Sequence, residues 1–527
     1  MRILLSLLII GTVFPGCEQK HRNSQPSQES ISSRLPSATE NSAQATNVTF
    51  RDAGEAAVVR RVERFCGDCH AVPPADSFPK SAWQEQVDLG FQLYFQSGRS
   101  DLELPTPFEV TRFFEERAPD TLELPKSYPL QDLARQFQVK QFGSLPNQIA
   151  STPHIKWLKL PGRENPVMVY SDMRDGKVGA IDLATGADET LAKLRNASQF
   201  CQCDVDNDGF LDLVVADLGS MGPEDHQNGQ VVWLRWNDQA GKFDVRTMRD
   251  SLGRVADVQA ADFDQDGDLD FVCAEFGWRT SGSLFWLENL GEINSAADPR
   301  SQFAYHLIEF RHGPINVPVV DWDGDGDLDF LALIGQEHEE IVLYENAGKK
   351  QFHRRRLYFT PDPSYGSSGI ELVDLDRDGD LDLLYANGDA FDVMIVKPYH
   401  GVRWLENVDG KLVMHELGFL PGAHRALPID IDNDQDWDVV AVALLPDLKD
   451  GNTRYDFNSV LLFRNDGNQQ FQAEAIEHGL SNKPTAIVGD FDQDGDSDFA
   501  TGNYNSSRNM PRITVWYNNV EQVPTAR

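Results

Sequence analysis

Cys66-Gly67-Asp68-Cys69-His70 places two thiols one helical turn apart, with an imidazole directly after the second. That spacing lets each thiol add to one vinyl group of a single haem, while the adjacent imidazole ligates the iron. Two other chemistries use the same residue types. A structural zinc site wants a second Cys/His pair nearby, and none follows before His154. A thioredoxin-like dithiol wants a βαβ setting, and the flanking sequence does not offer one. The expected cofactor is one covalent haem c, held by Cys66, Cys69 and His70.

A second chemistry is written six times over. Nine-residue acidic loops begin at Asp204 (DVDNDGFLD), Asp262 (DFDQDGDLD), Asp321 (DWDGDGDLD), Asp374 (DLDRDGDLD), Asp430 (DIDNDQDWD) and Asp490 (DFDQDGDSD). Positions 1, 3, 5 and 9 are always aspartate. They are Asp204, Asp206, Asp208 and Asp212; Asp262, Asp264, Asp266 and Asp270; Asp321, Asp323, Asp325 and Asp329. The later loops supply Asp374, Asp376, Asp378 and Asp382; Asp430, Asp432, Asp434 and Asp438; Asp490, Asp492, Asp494 and Asp498. Carboxylates at these positions, with a backbone carbonyl at position 7, make the flexible all-oxygen shell that Ca²⁺ favours, and glycine at position 6 permits the sharp turn. Up to six Ca²⁺ are expected. Gln435 replaces that glycine in the fifth loop, which marks it as the strained one. An EF-hand needs a bidentate Glu at position 12. Val215, Cys273, Ala332, Tyr385, Ala441 and Thr501 stand there, and the loops run on into apolar strand sequence, so EF-hands are excluded. Dockerin-like pairs are excluded by the wide spacing.

The elements that must position these residues differ for the two sites. Around the thiols, residues 51–65 carry Val58, Val59, Val62 and Phe65 at helical spacing, and 81–97 and 108–117 read as two further helices separated by prolines. This segment, 51–125, resembles a small α-helical c-type cytochrome domain, with C-x-x-C-H as its specific motif. The usual methionine ligand of such domains is missing, since no Met lies between Met1 and Met168 and no second His lies in the segment. A five-coordinate iron, Lys80 or another weak ligand, and a histidine from the rest of the chain all remain open as the sixth ligand.

Around the acidic loops the spacings are 58, 59, 53, 56 and 60 residues. About 20 residues after most loops comes an aromatic strand ending in Asn: 231–237, 284–289, 341–346, 402–407, 461–465 and 513–519. Three to four strands per repeat at this period is the pattern of a β-propeller blade. The repeats resemble FG-GAP/VCBS calcium repeats. The fold class expected is mainly β: a seven-bladed β-propeller preceded by the small α-helical cytochrome c-like domain. Residues 165–186 form the first blade, without an acidic loop. Residues 154–160 (HIKWLKL) are expected to return as the outer strand of the last blade and close the ring, which leaves no open sheet edge.

The N-terminus reads as an address. Met1-Arg2 and the apolar run Ile3–Val13 have signal-peptide form, too short to span a bilayer. Phe14-Pro15-Gly16-Cys17 resembles a bacterial lipobox, which implies lipidation at Cys17; an ordinary cleaved leader is the alternative. The domain plan is then 1–17 signal and lipobox, 18–50 a polar tether, 51–125 the haem domain, 126–150 a linker and 151–520 the propeller. It places the protein in the bacterial cell envelope, exported and held to a membrane by an N-terminal lipid anchor.

Charge and cysteine content limit the partners. The chain of 527 residues carries a net charge of −36, against what a nucleic-acid backbone requires, so no nucleic-acid partner is expected. The six loops hold 29 aspartates and one arginine, most of that charge. Six cysteines are too few for a disulfide scaffold; Cys201, Cys203 and Cys273 flank acidic loops and read as buried thiols.

Polar residues beside the loops, Gln336, His338, Asn387, Asp389, His400, His424 and Arg425, form a candidate ligand face. The function expected is electron transfer coupled to binding of a redox partner, polysaccharide or protein ligand, rather than a stand-alone enzyme. The alternatives are a propeller oxidoreductase passing electrons to its own haem, and a non-redox adhesion or carbohydrate-binding propeller. A nucleophile–base pair or cofactor fingerprint supporting the oxidoreductase is not evident in the sequence.

Overall fold

Period-two alternation of apolar residues, punctuated by glycine-rich turns, folds most of the chain into seven antiparallel sheets. The computed structural model describes residues 53–131, 136–144, 147–291, 293, 297–348 and 350–519. The signal, Cys17 and the tether to residue 50 lie outside the described residues.

Six blades are continuous in sequence, spanning 154–193, 197–252, 255–310, 314–359, 367–419 and 423–478, each with its strands in sequence order from the inside out. The seventh joins three C-terminal strands, Thr485–Gly489, Asp498–Gly502 and Ile513–Asn518, to an outer strand from far upstream, Phe137–Phe142. Apolar layers fill the space between neighbouring blades. One holds Val214, Trp233, Val258, Phe271 and Phe285 between the second and third blades. Seven blades and ring closure by an N-terminal strand agree with the sequence reading.

The closing segment does not agree. Residues 154–160 do not return to the last blade: His154–Leu158 is the innermost strand of the first blade, paired with Val167–Asp172. The outer strand is Phe137–Phe142, inside what the sequence suggested was a linker. Both segments alternate apolar and polar residues, and the pattern alone does not say which edge each will cover. The rest of the supposed linker is also laid on the propeller. Tyr128 N donates to Asn458 Oδ1 at 2.8 Å, and Asn458 Nδ2 donates back to Tyr128 O at 3.1 Å. The seam between last and first blades is locked by Arg512, 1% exposed, whose guanidinium pairs with the buried Asp172.

Three helices precede the ring: α1 (Ala53–Cys66), α2 (Trp83–Gln96) and α3 (Pro107–Glu115). They match the three helical readings to within two residues at every end. The helix α3 starts at a capping box, Thr106 with Glu109, and has Pro107 in its first turn. Val62, Phe78, Trp83, Val87, Phe91, Val110 and Phe114 form the core of the trio, with Trp83 stacked on Phe114 at 3.8 Å. Ile395 and Val393 of the fifth blade join that core, and Ala53–Arg527 forms one compact unit. None of the described helices is long and apolar enough to cross a membrane.

Candidate functional site

Antiparallel order fixes which loops share a face. Connections from the inner to the second strand emerge on one side of the ring; connections from the second to the third strand, and between blades, emerge on the other. All six acidic loops join inner to second strands, so they share the first face. Segments 335–339, 388–400 and 444–457 join second to third strands and share the opposite one.

Each acidic loop is shaped by its own first and ninth residues. Asp204 Oδ2 accepts from Gly209 N at 2.8 Å, and the position-6 amides of the other five loops bond their first aspartate in the same way at 3.0–3.2 Å. The ninth aspartate faces inward. Asp270 accepts from Phe263 N at 3.1 Å and from Asn289 N at 2.8 Å, which ties the loop to the end of the third strand. Asp329, Asp382, Asp438 and Asp498 repeat this with Asn346, Asn407, Asn465 and Asn518; Asp212 uses Trp236 N instead. The Asn that recurs at the end of the aromatic strand thus has a structural role. Its side chain also clamps neighbouring blades: Asn346 Nδ2 reaches Phe263 O at 2.8 Å and Asn518 Nδ2 reaches Ile431 O at 2.9 Å.

These bonds bring carboxylates together. Asp204, Asp206 and Asp212, and likewise Asp262, Asp264 and Asp270, offer oxygens within 4.8 Å of one another. In the next three loops the convergent trios are Asp321, Asp323 and Asp325; Asp374, Asp376 and Asp378; and Asp430, Asp432 and Asp434. Burial raises the ninth carboxyl groups, with Asp212, Asp270 and Asp438 pushed up to about 7 and Asp498 to about 6. Concentrated like charge that is reluctant to ionise is a fit for a hard divalent cation.

Gln435 sits at φ 74°, where the five glycines sit between 87° and 102°. Left-handed backbone costs a side-chain-bearing residue roughly 1–2 kcal/mol. Gln435→Gly is therefore expected to stabilise the protein by about 1 kcal/mol, read as a shift in urea midpoint; a lower midpoint would contradict the strain.

The thiol–imidazole site lies at the end of α1. Cys66 closes the helix, and burial pushes its thiol up to about 12. Cys69 is exposed, and both thiols are unpaired. His70 Nδ1 lies 2.7 Å from Ala71 O. A carbonyl oxygen only accepts, so Nδ1 carries the proton and Nε2 keeps its lone pair for a metal. Two free thiols, a helical scaffold and an imidazole with its tautomer fixed fit covalent haem attachment. Arg99 pairs with Asp68 between the cysteines. Lys80 is turned elsewhere, to Asp120 at 2.8 Å.

The helical trio docks on the face away from the acidic loops. Ser77 Oγ donates to Asp362 Oδ2 at 2.7 Å, and Tyr399 OH donates to the same oxygen at 2.5 Å. The Lys397 ammonium, fully buried, bonds Ser77 O and lies 3.4 Å from the centre of the Phe78 ring. Of this stretch the sequence offered only His400, as a candidate ligand-face residue; the contacts of Lys397 and Tyr399 with Ser77 and Asp362 join residues far apart in the chain and leave no local signal.

The seven candidate ligand-face residues do fall on this second face, in different roles. Asn387 is buried and braces Tyr365 O and Tyr399 O. His400 is 1% exposed, and burial drives its imidazole well below the usual range. Arg425 pairs with Glu371 at 2.7 Å between inner strands. His424 beside it is pushed down to about 4 by burial. Asp389 accepts from Phe391 N at 2.8 Å. Gln336 and His338 share the loop between the second and third strands of the fourth blade. Cys201, Cys203 and Cys273 are buried in one apolar layer.

A family model described as an FG-GAP-like repeat matches residues 204–273 and 321–385, which hold the loops of the second to fifth blades. The fold and these matches define a seven-bladed β-propeller carrying FG-GAP-like repeats. No curated protein matches the chain. Among solved structures, a luciferin-regenerating enzyme is similar with a TM-score of 0.38 and 10% identity, covering 66% of this chain and 98% of that one.

Proposed function

We propose that this is an exported haem c protein of the bacterial cell envelope, tethered through Cys17. In this reading, a calcium-stabilised propeller holds a small electron-transfer domain against one face and recognises a partner or ligand. The observation that carries it is Cys66, Cys69 and His70 at the end of α1, with His70 Nδ1 bonded to Ala71 O. Haem bound there supplies one-electron transfer. The chain's own residues do the rest. Cys66 and Cys69 fix position, Ala71 O orients His70, and the core around Phe91, Trp83 and Phe114 excludes water. Residues 51–125 are the haem domain in this reading, and the ring carries no chemistry of its own. The six loops each take one Ca²⁺ and act as braces, because the bonds of their ninth aspartates tie together the strands that bury the core.

Expression of the full chain with cytochrome c maturation tests it. A Soret band that survives denaturation and acid extraction is expected, and is lost in Cys66→Ala/Cys69→Ala. A colourless wild-type protein would leave the non-redox binding propeller as the better reading. Reduction of the haem by a substrate of this protein alone would favour the oxidoreductase.

A further inference from the structure

We propose that the propeller completes the haem site: His338, from the loop between the second and third strands of the fourth blade, is the sixth ligand of the iron held at His70. This rests on the haem reading above and adds a residue that the helical segment itself does not supply.

Three observations carry it. The first is placement. The loop Gly335–Glu339 lies on the face on which the helices dock, and Thr360 N donates to Glu339 O at 3.0 Å, two residues before the Asp362 that accepts from Ser77 Oγ at 2.7 Å; across this contact the charge of Glu337 acts on Cys69 and that of His70 on His338. The second is availability. The His338 side chain is exposed and makes no hydrogen bond among the described residues, whereas His226, His306, His312 and His415 are engaged by Ser220, Glu288, Ser281 O and Glu406. His154 and His400 are buried in the ring.

The third is the backbone. Glu337 and Glu339, on either side of His338, have φ of 65° and 44°, a conformation that side-chain-bearing residues adopt only where surrounding structure holds them. The holding group is Glu339, 3% exposed, whose Oε2 accepts from Ser367 N at 2.9 Å. This kink thus carries, on the face where the helices dock, an imidazole with no hydrogen bond among the described residues. Lys80 is occupied by Asp120. Met394 is the nearest rival, because its neighbours Val393 and Ile395 enter the helical core.

The consequence is a haem ligated by two imidazoles across a domain contact, so that seating of the helices on the ring sets the spin state. The test uses the full chain matured with haem, with optical and electron paramagnetic resonance spectra and ferrous carbon monoxide binding as readouts. Wild type is expected to be low-spin with two nitrogen ligands and slow to bind carbon monoxide. His338→Ala is expected to become high-spin and bind carbon monoxide readily, with added imidazole restoring the low-spin spectrum. Met394→Leu is expected to match wild type. An unchanged spectrum in His338→Ala, or a shift in Met394→Leu instead, overturns the assignment while leaving the haem reading intact. A wild type without a Soret band overturns both. Because His338 is exposed and its side chain makes no hydrogen bond among the described residues, its replacement is expected to leave the far-ultraviolet circular dichroism of the protein unchanged.

Discussion

Chelating calcium is expected to lower the thermal midpoint of this protein steeply, with a loss that deepens as pH rises from about 4 to about 7. A site held at a hundred times its dissociation constant contributes about 2.7 kcal/mol of native stability. Several such sites together equal the whole stability of a typical domain, about 5–15 kcal/mol. The pH term comes from the ninth aspartates. Burial holds Asp212, Asp270 and Asp438 at about 7 and Asp498 at about 6 in the metal-free fold, against about 4 in an unfolded chain. The metal-free native state therefore keeps protons that the unfolded state has released. Its stability is fully present below the unfolded value and falls as pH climbs through the folded ones, at up to about 1.4 kcal/mol per pH unit for each group. Ca²⁺ held in the loops is expected to neutralise the same carboxylates and remove that slope. Calorimetry in chelator and in excess calcium, at several pH values across this window, gives the result. Superimposed curves in the two solutions would sink the calcium account of the six loops.

What was legible in the sequence follows the range of each interaction. The acidic loops are local: nine residues contain their own turn, their own first-to-sixth bond and their own carboxylates, so spacing alone identified them and six of the seven blades, the first being read from the strand-like residues 165–186. The strained fifth loop was legible for the same reason, since one side chain at a glycine position is a local fact. Gln435 does take a positive φ. Closure of the ring is not local. Phe137–Phe142 and His154–Leu158 present the same alternation, and only pairing with Ile513–Asn518 distinguishes them. The candidate ligand face shows a further limit. Asn387, His400 and Arg425 resemble solvated polar residues in sequence, yet the structure uses them as braces, and burial is a property of what folds over them. The aromatic-strand asparagines were visible as a pattern whose cause was not, because their partners sit in the preceding blade. Cys66, Cys69 and His70 needed no tertiary information to be singled out; His338 was visible only as one of several polar loop residues, and its relation to the helical segment needed the fold.

Asp362→Ala is expected to undock the helices, costing about 3–5 kcal/mol, while Lys397→Met at the other end of the same contact costs far less. Lys397 is buried against Phe78 and Ser77 O, with Ser364 Oγ at 3.3 Å. Burial pulls its ammonium down to about 7, and Asp362 opposes that pull. Removing the carboxylate leaves a buried cation without its counter-charge, and leaves Ser77 Oγ and Tyr399 OH without their acceptor. Replacing the lysine with methionine removes the charge that had to be compensated and keeps its length over the Phe78 ring. The asymmetry is the test of whether the pair stabilises or merely tolerates itself. A pH dependence accompanies it. An unfolded lysine holds its proton to about 10.4, whereas Lys397 in place releases it near 7, so between those values the unfolded chain binds one more proton. Stability of the docked state then rises with pH across that window, is highest above it, and is flat below pH 7. Limited proteolysis of the segment that joins α3 to the ring, followed from pH 6.5 to 10, reads the docked fraction directly. Cleavage is expected to slow with rising pH in wild type, to be fast throughout in Asp362→Ala, and to lose its pH slope in Lys397→Met. Equal cleavage of both variants and wild type would mean that the apolar contacts of Ile395 and Val393 hold the helices without this network.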